Sequence, residues 1–223
     1  SDKQLEIYTN EYKKYNGLEK LRIENENTLL QISNIVYPTS EDNSDNCIGE
    51  RGLLNVMNYN SSKNEYSYKS EILSEYGEFF DKEILKNYSS KISNIIDIIN
   101  NSEGIIFIYS NWINGGVIPL CLALEQNGYN NYNKNIFDIK SDTNKGNYIS
   151  ITSDNDLSGN YKELLKICTS YENRNGEKIK IIIGSNVASE GLDLKNIRSI
   201  HVIEPWYHLK RLEQIIGRGI RYC

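Results

Sequence analysis

The sequence predicts an α/β fold: a central, mostly parallel sheet covered by helices on both faces and preceded by a mainly helical segment. Three observations predict it. Mostly apolar runs of strand length begin at Ile105 and recur as far as Ile203. Segments with helical spacing separate these runs. Residues 1–100 read instead as helix and loop. Strands that are apolar throughout, rather than alternating, belong in a parallel sheet buried on both faces.

Taken in order, residues 1–37 read as mostly helical. Tyr12 to Glu26 is polar with sparse apolar positions, so this helix is expected to lean on something outside the chain. Residues 38–70 read as a loop, from Pro38, the acidic run Glu41 to Asp45, Gly49, Gly52 and the stretch Asn60 to Asn64. Ser90 is placed to cap a helix whose Ile92, Ile95, Ile96 and Ile99 form one apolar stripe. From Gly104 the pattern alternates. Ile105 to Tyr109 reads as a strand, and Val117 to Glu125 as a helix ending near Gly128. The Asn-rich run Asn127 to Asn135 reads as codon bias of an AT-rich genome. Tyr148 to Thr152 is a second strand, Tyr161 to Tyr171 a helix, Ile179 to Ile183 a third strand and Ile200 to Ile203 a fourth. Leu209 to Ile216 closes the pattern as a helix. In such sheets ligands sit beyond the carboxyl ends of the strands, so the residues just after each strand are the candidates.

Composition sets outer limits. With 223 residues, 39% hydrophobic and 25% charged, the chain can bury a core. No run approaches a membrane span, and the start has no charged-then-apolar leader pattern. The four cysteines, Cys47, Cys121, Cys168 and Cys223, form no Cys-x-x-Cys pair. That argues against a zinc site and a disulfide framework, and for reduced intracellular thiols. The net charge of −5 is uneven. Residues 1–100 hold 11 basic and 17 acidic side chains, and the remainder hold 14 and 13. An overall pI of about 5.3 therefore leaves room for a nucleic-acid surface in the second half. His201 and His208 have no third ligand nearby in the sequence, so no metal site is expected.

The strongest chemical signal is Gln214-Ile-Ile-Gly217-Arg218-Gly219-Ile220-Arg221. Arg218 and Arg221 share a helix face. Their planar forks suit the spreading charge of a phosphoryl-transfer transition state. Gly217 removes bulk where another surface could approach. Alone, the pair reads more readily as surface arginines at a glycine-weakened helix end. Upstream, after a strand, stands Gly184-Ser185-Asn186-Val187-Ala188-Ser189-Glu190-Gly191-Leu192-Asp193. Its small and hydroxyl residues could face phosphates, and Asp193 could accept from a ribose hydroxyl. Alone, it is equally an ordinary strand-to-helix turn with a capping Ser.

In this order and spacing, Ser-x-x-x-x-x-Gly-x-Asp, then a strand, then Gln-x-x-Gly-Arg-x-x-Arg resembles motifs V and VI of superfamily 2 helicases and translocases. Ile106 to Trp112 resembles motif IV, and Ile149 to Asp154 the next strand of that family. Ser33 to Pro38, Gly49 to Gly52, Gly115 to Leu120 and Leu124 to Tyr129 extend the likeness over most of the chain. They resemble the helicase-type ATPases of nucleocytoplasmic large DNA viruses, of the early transcription factor small subunit and nucleoside triphosphatase type. Glu204-Pro205-Trp206-Tyr207 resembles an aromatic stretch of Swi/Snf-type translocases, and reads more readily as packed aromatics at a strand end.

The resemblance implies a RecA-like second domain over 101–223, with 1–100 linking it to an N-terminal RecA-like domain. It implies that Arg218 and Arg221 reach the γ-phosphate of ATP, with Gln214 near the hydrolytic water. Gly191, Asp193 and Gly217 would line the nucleotide. Ser110, Asn111, Thr152 and Ser185 would face the backbone of DNA or RNA. The implied partners are nucleic acid, that N-terminal domain and a viral RNA polymerase. The implied location is intracellular, in a virion or host cytoplasm. The departure from the family pattern is large. The chain contains no Gly-x-x-x-x-Gly-Lys-Ser/Thr and no Asp-Glu dipeptide, so the phosphate cradle and the Mg2+ carboxylates are expected on the other domain. Ser185 stands where many relatives have Thr. The pattern stops two residues after Arg221, as expected of a piece of a longer protein. Two further readings stay open: a stand-alone nucleic-acid-binding or interaction module without ATPase activity, and an unrelated doubly wound nucleotide-binding protein.

Overall fold

In a computed structural model, residues 1–15, 23–39, 44–139, 143–186 and 194–204 are described, together with Glu213, Ile216 and Gly217. The first part holds α1 (Asp2–Tyr15), α2 (Ile23–Asn34), α3 (Ser44–Cys47) and α4 (Gly49–Val56). Strands β1 (Met57–Asn60) and β2 (Glu65–Tyr68) follow, then α5 (Ser70–Tyr76), α6 (Lys82–Leu85) and α7 (Ser90–Asn101). The second part holds β3 (Ile105–Tyr109), a π-helical turn (Ile113–Val117), α8 (Ile118–Gln126), β4 (Asn130–Asn131) and β5 (Asn147–Ile151). It continues with α9 (Asn155–Ser158), α10 (Tyr161–Cys168), β6 (Ile181–Gly184) and β7 (Ile197–Val202).

Five strands form one sheet in the order β4-β5-β6-β3-β7, and every pair is parallel. The predicted strand Ile105 to Tyr109 lies inside the sheet, between β6 and β7, and all five of its residues are buried. Its side chains alternate between two cores. Ile106 and Ile108 pack with α7, α8 and the first part of the chain. Phe107 and Tyr109 pack with Leu164 and Cys168 of α10. The apolar run is thus explained by burial on both faces.

The segment 38–70 departs from the expected loop. Gly49 and Gly52, read as loop punctuation, lie in α4, and β1 and β2 make an antiparallel hairpin. Tertiary burial outweighs local composition here. Leu53, Val56 and Met57 enter the core under the sheet. A Cβ on Gly52 would stand 2.6 Å from the Cys47 carbonyl carbon, so glycine marks a close approach rather than a turn. Asn60 to Asn64 is the hairpin turn, with Asn64 at φ 53°. The α7 cap also shifts by one residue. Ser89, not Ser90, accepts the Ile92 amide through its hydroxyl at 3.0 Å. The Asn-rich run contains the edge strand β4, which composition had hidden. Helix α1 ends at Tyr15 among the described residues, with Ile7 and Glu11 buried on its inner face.

A buried carboxylate fastens the edge of the sheet. Glu125, at the end of α8, accepts the Ile136 amide at 3.0 Å, the Phe137 amide at 2.7 Å and the Tyr148 hydroxyl at 2.5 Å. The same segment pairs with the hairpin, through Tyr66 N to the Ile136 carbonyl at 2.7 Å. Burial pushes the Glu125 carboxyl up to about 7, against the opposing effect of those three donors.

Candidate nucleic-acid interface at the carboxyl ends of the strands

Register places the strand exits in one row. Tyr109 pairs with Gly184 and with Val202, and Ile151 pairs with Gly184. The ladder continues one residue further. Ser110 N donates to the Gly184 carbonyl, Ser185 N to the Ile151 carbonyl and Ile203 N to the Tyr109 carbonyl. Thr152, Ser185, Ser110 and Ile203 therefore stand side by side on adjacent strands. Four sequence-predicted residues, Ser110, Asn111, Thr152 and Ser185, come together at this rim.

The three hydroxyl residues point inward. Ser110, Thr152 and Ser185 are 0%, 2% and 3% exposed. Ser110 Oγ donates to Glu204 Oε1 at 2.7 Å. Thr152 Oγ1 bonds Ser158 Oγ at 3.0 Å and accepts the Asp154 amide at 3.1 Å, tying β5 to α9. Asp154 in turn caps α9 by accepting the Asp156 amide at 2.9 Å. The outward groups are their neighbours. Ser153 and Asn186 are exposed, and Asn111 is half-buried. The Tyr109 hydroxyl lies 2.8 Å from Asn186 Oδ1 and 3.4 Å from Asn111 Oδ1, which gathers the exits of β3 and β6 around one buried ring. Amide side chains at such a rim can contact a phosphate–sugar backbone without reading its sequence.

Beneath the rim lies a charged network that sequence reasoning missed. Glu204, 1% exposed, follows β7 and accepts the Asn111 amide at Oε2, 2.8 Å away. Its Oε1 accepts Ser110 and the Asn34 side-chain amide from the end of α2. Lys91 of α7 donates to Asn34 Oδ1 at 2.9 Å, the Ile203 carbonyl at 2.9 Å and Ser33 Oγ at 3.2 Å. Asn34 thus stands between cation and carboxylate, with one end of its amide on each. Burial raises the Glu204 carboxyl, opposed by the Asn111 amide, Ser110, Asn34 and the charge of Lys91. Burial lowers the Lys91 ammonium, opposed by Glu204. One signal was available in the sequence: a carboxylate directly after an apolar strand must find donors if it is buried.

Gly217 is helical and exposed, and no described residue lies within 4 Å of a Cβ built on it. Gln214, Gly191, Asp193, Arg218, Arg221 and most of the predicted helix Leu209 to Ile216 lie outside the described residues. His201 lies in β7, as expected, with Nε2 buried and without a hydrogen-bond partner among the described residues, and burial lowers its pKa. Among the described residues no group of His, Cys, Asp and Glu could hold a metal ion, and no helix is long and apolar enough to cross a membrane.

A parallel sheet in this strand order, flanked by helices, is a RecA-like domain. The chain belongs to the helicase conserved C-terminal domain family, whose pattern matches residues 90–223. It is 28% identical, over 86% of its length, to a protein of Acanthamoeba polyphaga mimivirus named as an ATP-dependent RNA helicase, L377. It is 31% identical, again over 86% of its length, to a second such mimivirus protein, R563. It is 33% identical over 65% of its length to the early transcription factor 70 kDa subunit of Fowlpox virus. The chain spans 22%, 28% and 23% of the length of these three relatives. The viral resemblance drawn from sequence is thus shown.

Proposed function

We propose that this chain is the C-terminal half of an ATP-dependent helicase or nucleic-acid translocase that serves viral transcription. The observation that carries the reading is the row of strand exits at the carboxyl rim in a member of the helicase C-terminal family. The rim amides of Asn111 and Asn186, with Ser153, hold the sugar–phosphate backbone. Ser110, Thr152 and Ser185 shape the loops that present them. Arg218 and Arg221 reach the γ-phosphate across a cleft, and Gln214 orients the attacking water. Gly191, Asp193 and Gly217 line the nucleotide. ATP and Mg2+ are held chiefly by a partner RecA-like domain, because this chain has no phosphate-cradle motif. Cleft closure on ATP and opening after hydrolysis move the two grips along a strand.

The names of the mimivirus relatives favour RNA as the strand, and that of the fowlpox relative favours a place in transcription. The test is an ATPase assay on the longer chain that contains residues 1–223, with and without single-stranded RNA or DNA. Arg218→Ala is expected to lower stimulated turnover by about 10³-fold or more, the scale of a supplied arginine. Unchanged turnover would remove the arginine-finger role. Residues 1–223 alone are expected to hydrolyse no ATP above background, and stimulated turnover by that fragment would overturn this division of labour.

A further inference from the structure

Glu204 accepts from one loop, the β3 exit, and one helix, α2, at once. A carboxylate only accepts, so its two oxygens fix three donors in space. Oε2 holds the main-chain amide of Asn111, the residue that turns outward at the rim. Oε1 holds the hydroxyl of Ser110 and the amide of Asn34. The π-helical turn begins two residues after Asn111 and packs against the same group. A Cβ on Gly116 would stand 1.9 Å from Ser110 Oγ and 3.2 Å from Glu204 Oε1. Asn34 also donates to the Gly115 carbonyl at 3.2 Å. The β3 exit therefore has its path set by a carboxylate that belongs to the β7 exit. Lys91 opposes the burial of that charge, and the hydrogen-bonded path between the two runs through Asn34.

We infer that Glu204 is a positioning residue for nucleic-acid binding: its carboxylate sets the Asn111 main chain, and so aims the Asn111 amide at the strand. This rests on the proposed function only for what is bound. Glu204 touches no nucleic acid itself. A Gln in its place has one acceptor oxygen and would turn an N–H₂ toward either the Asn111 amide or the Asn34 amide, so at least one of the three ties must break.

The experiment uses the 223-residue chain, a fluorescein-labelled oligouridylate of roughly 12 nucleotides read by anisotropy, and amide hydrogen exchange. Glu204→Gln is expected to speed exchange at Asn111 about tenfold while Phe107 and Ile183 keep their protection. Binding is expected to weaken about tenfold. Adding Asn111→Ala is expected to weaken it little further, since the two act as one unit. Ser110→Ala keeps the carboxylate and its charge, and is expected to move exchange at Asn111 in the same direction by a smaller factor; this variant decides the matter if Glu204→Gln fails to fold. Unchanged exchange at Asn111, or fully additive losses of binding, overturns the inference. If the wild-type chain binds no oligouridylate, the nucleic-acid reading falls, and exchange at Asn111 alone decides whether Glu204 positions the loop.

Discussion

The molecule buries two carboxylates in different regions. Glu125 sits where α8 meets the edge of the sheet, and Glu204 sits at the carboxyl rim. Both are 1% exposed and both accept from two kinds of donor, main-chain amides and side chains. They differ in company. Glu125 has only neutral donors, and burial carries it up to about 7. Glu204 also feels Lys91 through the Asn34 amide, which opposes the same upward push. The first is a fastening among neutral groups, strongest while the carboxyl keeps its proton. The second is part of an ionic network, and removing one member strands the other. Low dielectric makes such a network strong when complete and costly when broken.

Four changes would break or sharpen that contrast. The largest effect is expected from Lys91→Met, which leaves the Glu204 charge without its cation. Urea unfolding near neutral pH should show a loss of about 3–5 kcal/mol. The loss should shrink in acid, where Glu204 takes up a proton instead. A loss that does not change with pH would mean that Lys91 acts through packing alone.

Next comes the pH dependence carried by Glu125. Its carboxyl is raised in the fold from 4.5 to about 7. The unfolded chain therefore releases this proton first, and the stabilising contribution is complete below about pH 4.5. It is lost as pH rises through about 7, by on the order of 3 kcal/mol. Glu125→Gln removes the titration. The stability gap between wild type and variant should be widest below about pH 4.5 and narrow toward about pH 8 by that amount. Parallel stability curves would show that Glu125 titrates at its ordinary value.

Gly116→Ala tests the crowding at the rim. The added methyl meets Ser110 Oγ, which has no room to move without leaving Glu204. The expected cost is about 1–3 kcal/mol by thermal melting, with the Glu125 region unaffected. The smallest effect is expected from Ser89→Ala, which removes the α7 cap and the bond to the Asn34 carbonyl. A loss of about 1 kcal/mol is expected. A loss well above that would place the cap inside the Lys91 network.

Legibility in the sequence followed the range of the interactions. Ile92, Ile95, Ile96 and Ile99 announced α7 because its period is local, yet the cap fell on Ser89 because the chain enters the helix past Asn34. Ile105 to Tyr109 announced β3 because burial on both faces leaves a continuous apolar run. The hairpin β1–β2 was missed because its turn, Asn60 to Asn64, looks like any polar loop. Edge strand β4 was missed because two asparagines carry no pattern at all. At the rim, the positions were legible but not their direction: Ser110, Thr152 and Ser185 turn inward, and Asn186 stands outward in their place.

The sequence by itself determined the parallel α/β fold, the strand exits that form the rim and the family to which the chain belongs, because apolar period and motif spacing are local properties of the chain. Only the tertiary structure decided which polar groups at that rim are buried and what satisfies them. Glu204 meets the amide of Asn34 across 170 positions of sequence and that of Asn111 across 93. A buried carboxylate is tolerable only where donors converge, and that convergence comes from packing α2, α7 and the sheet together.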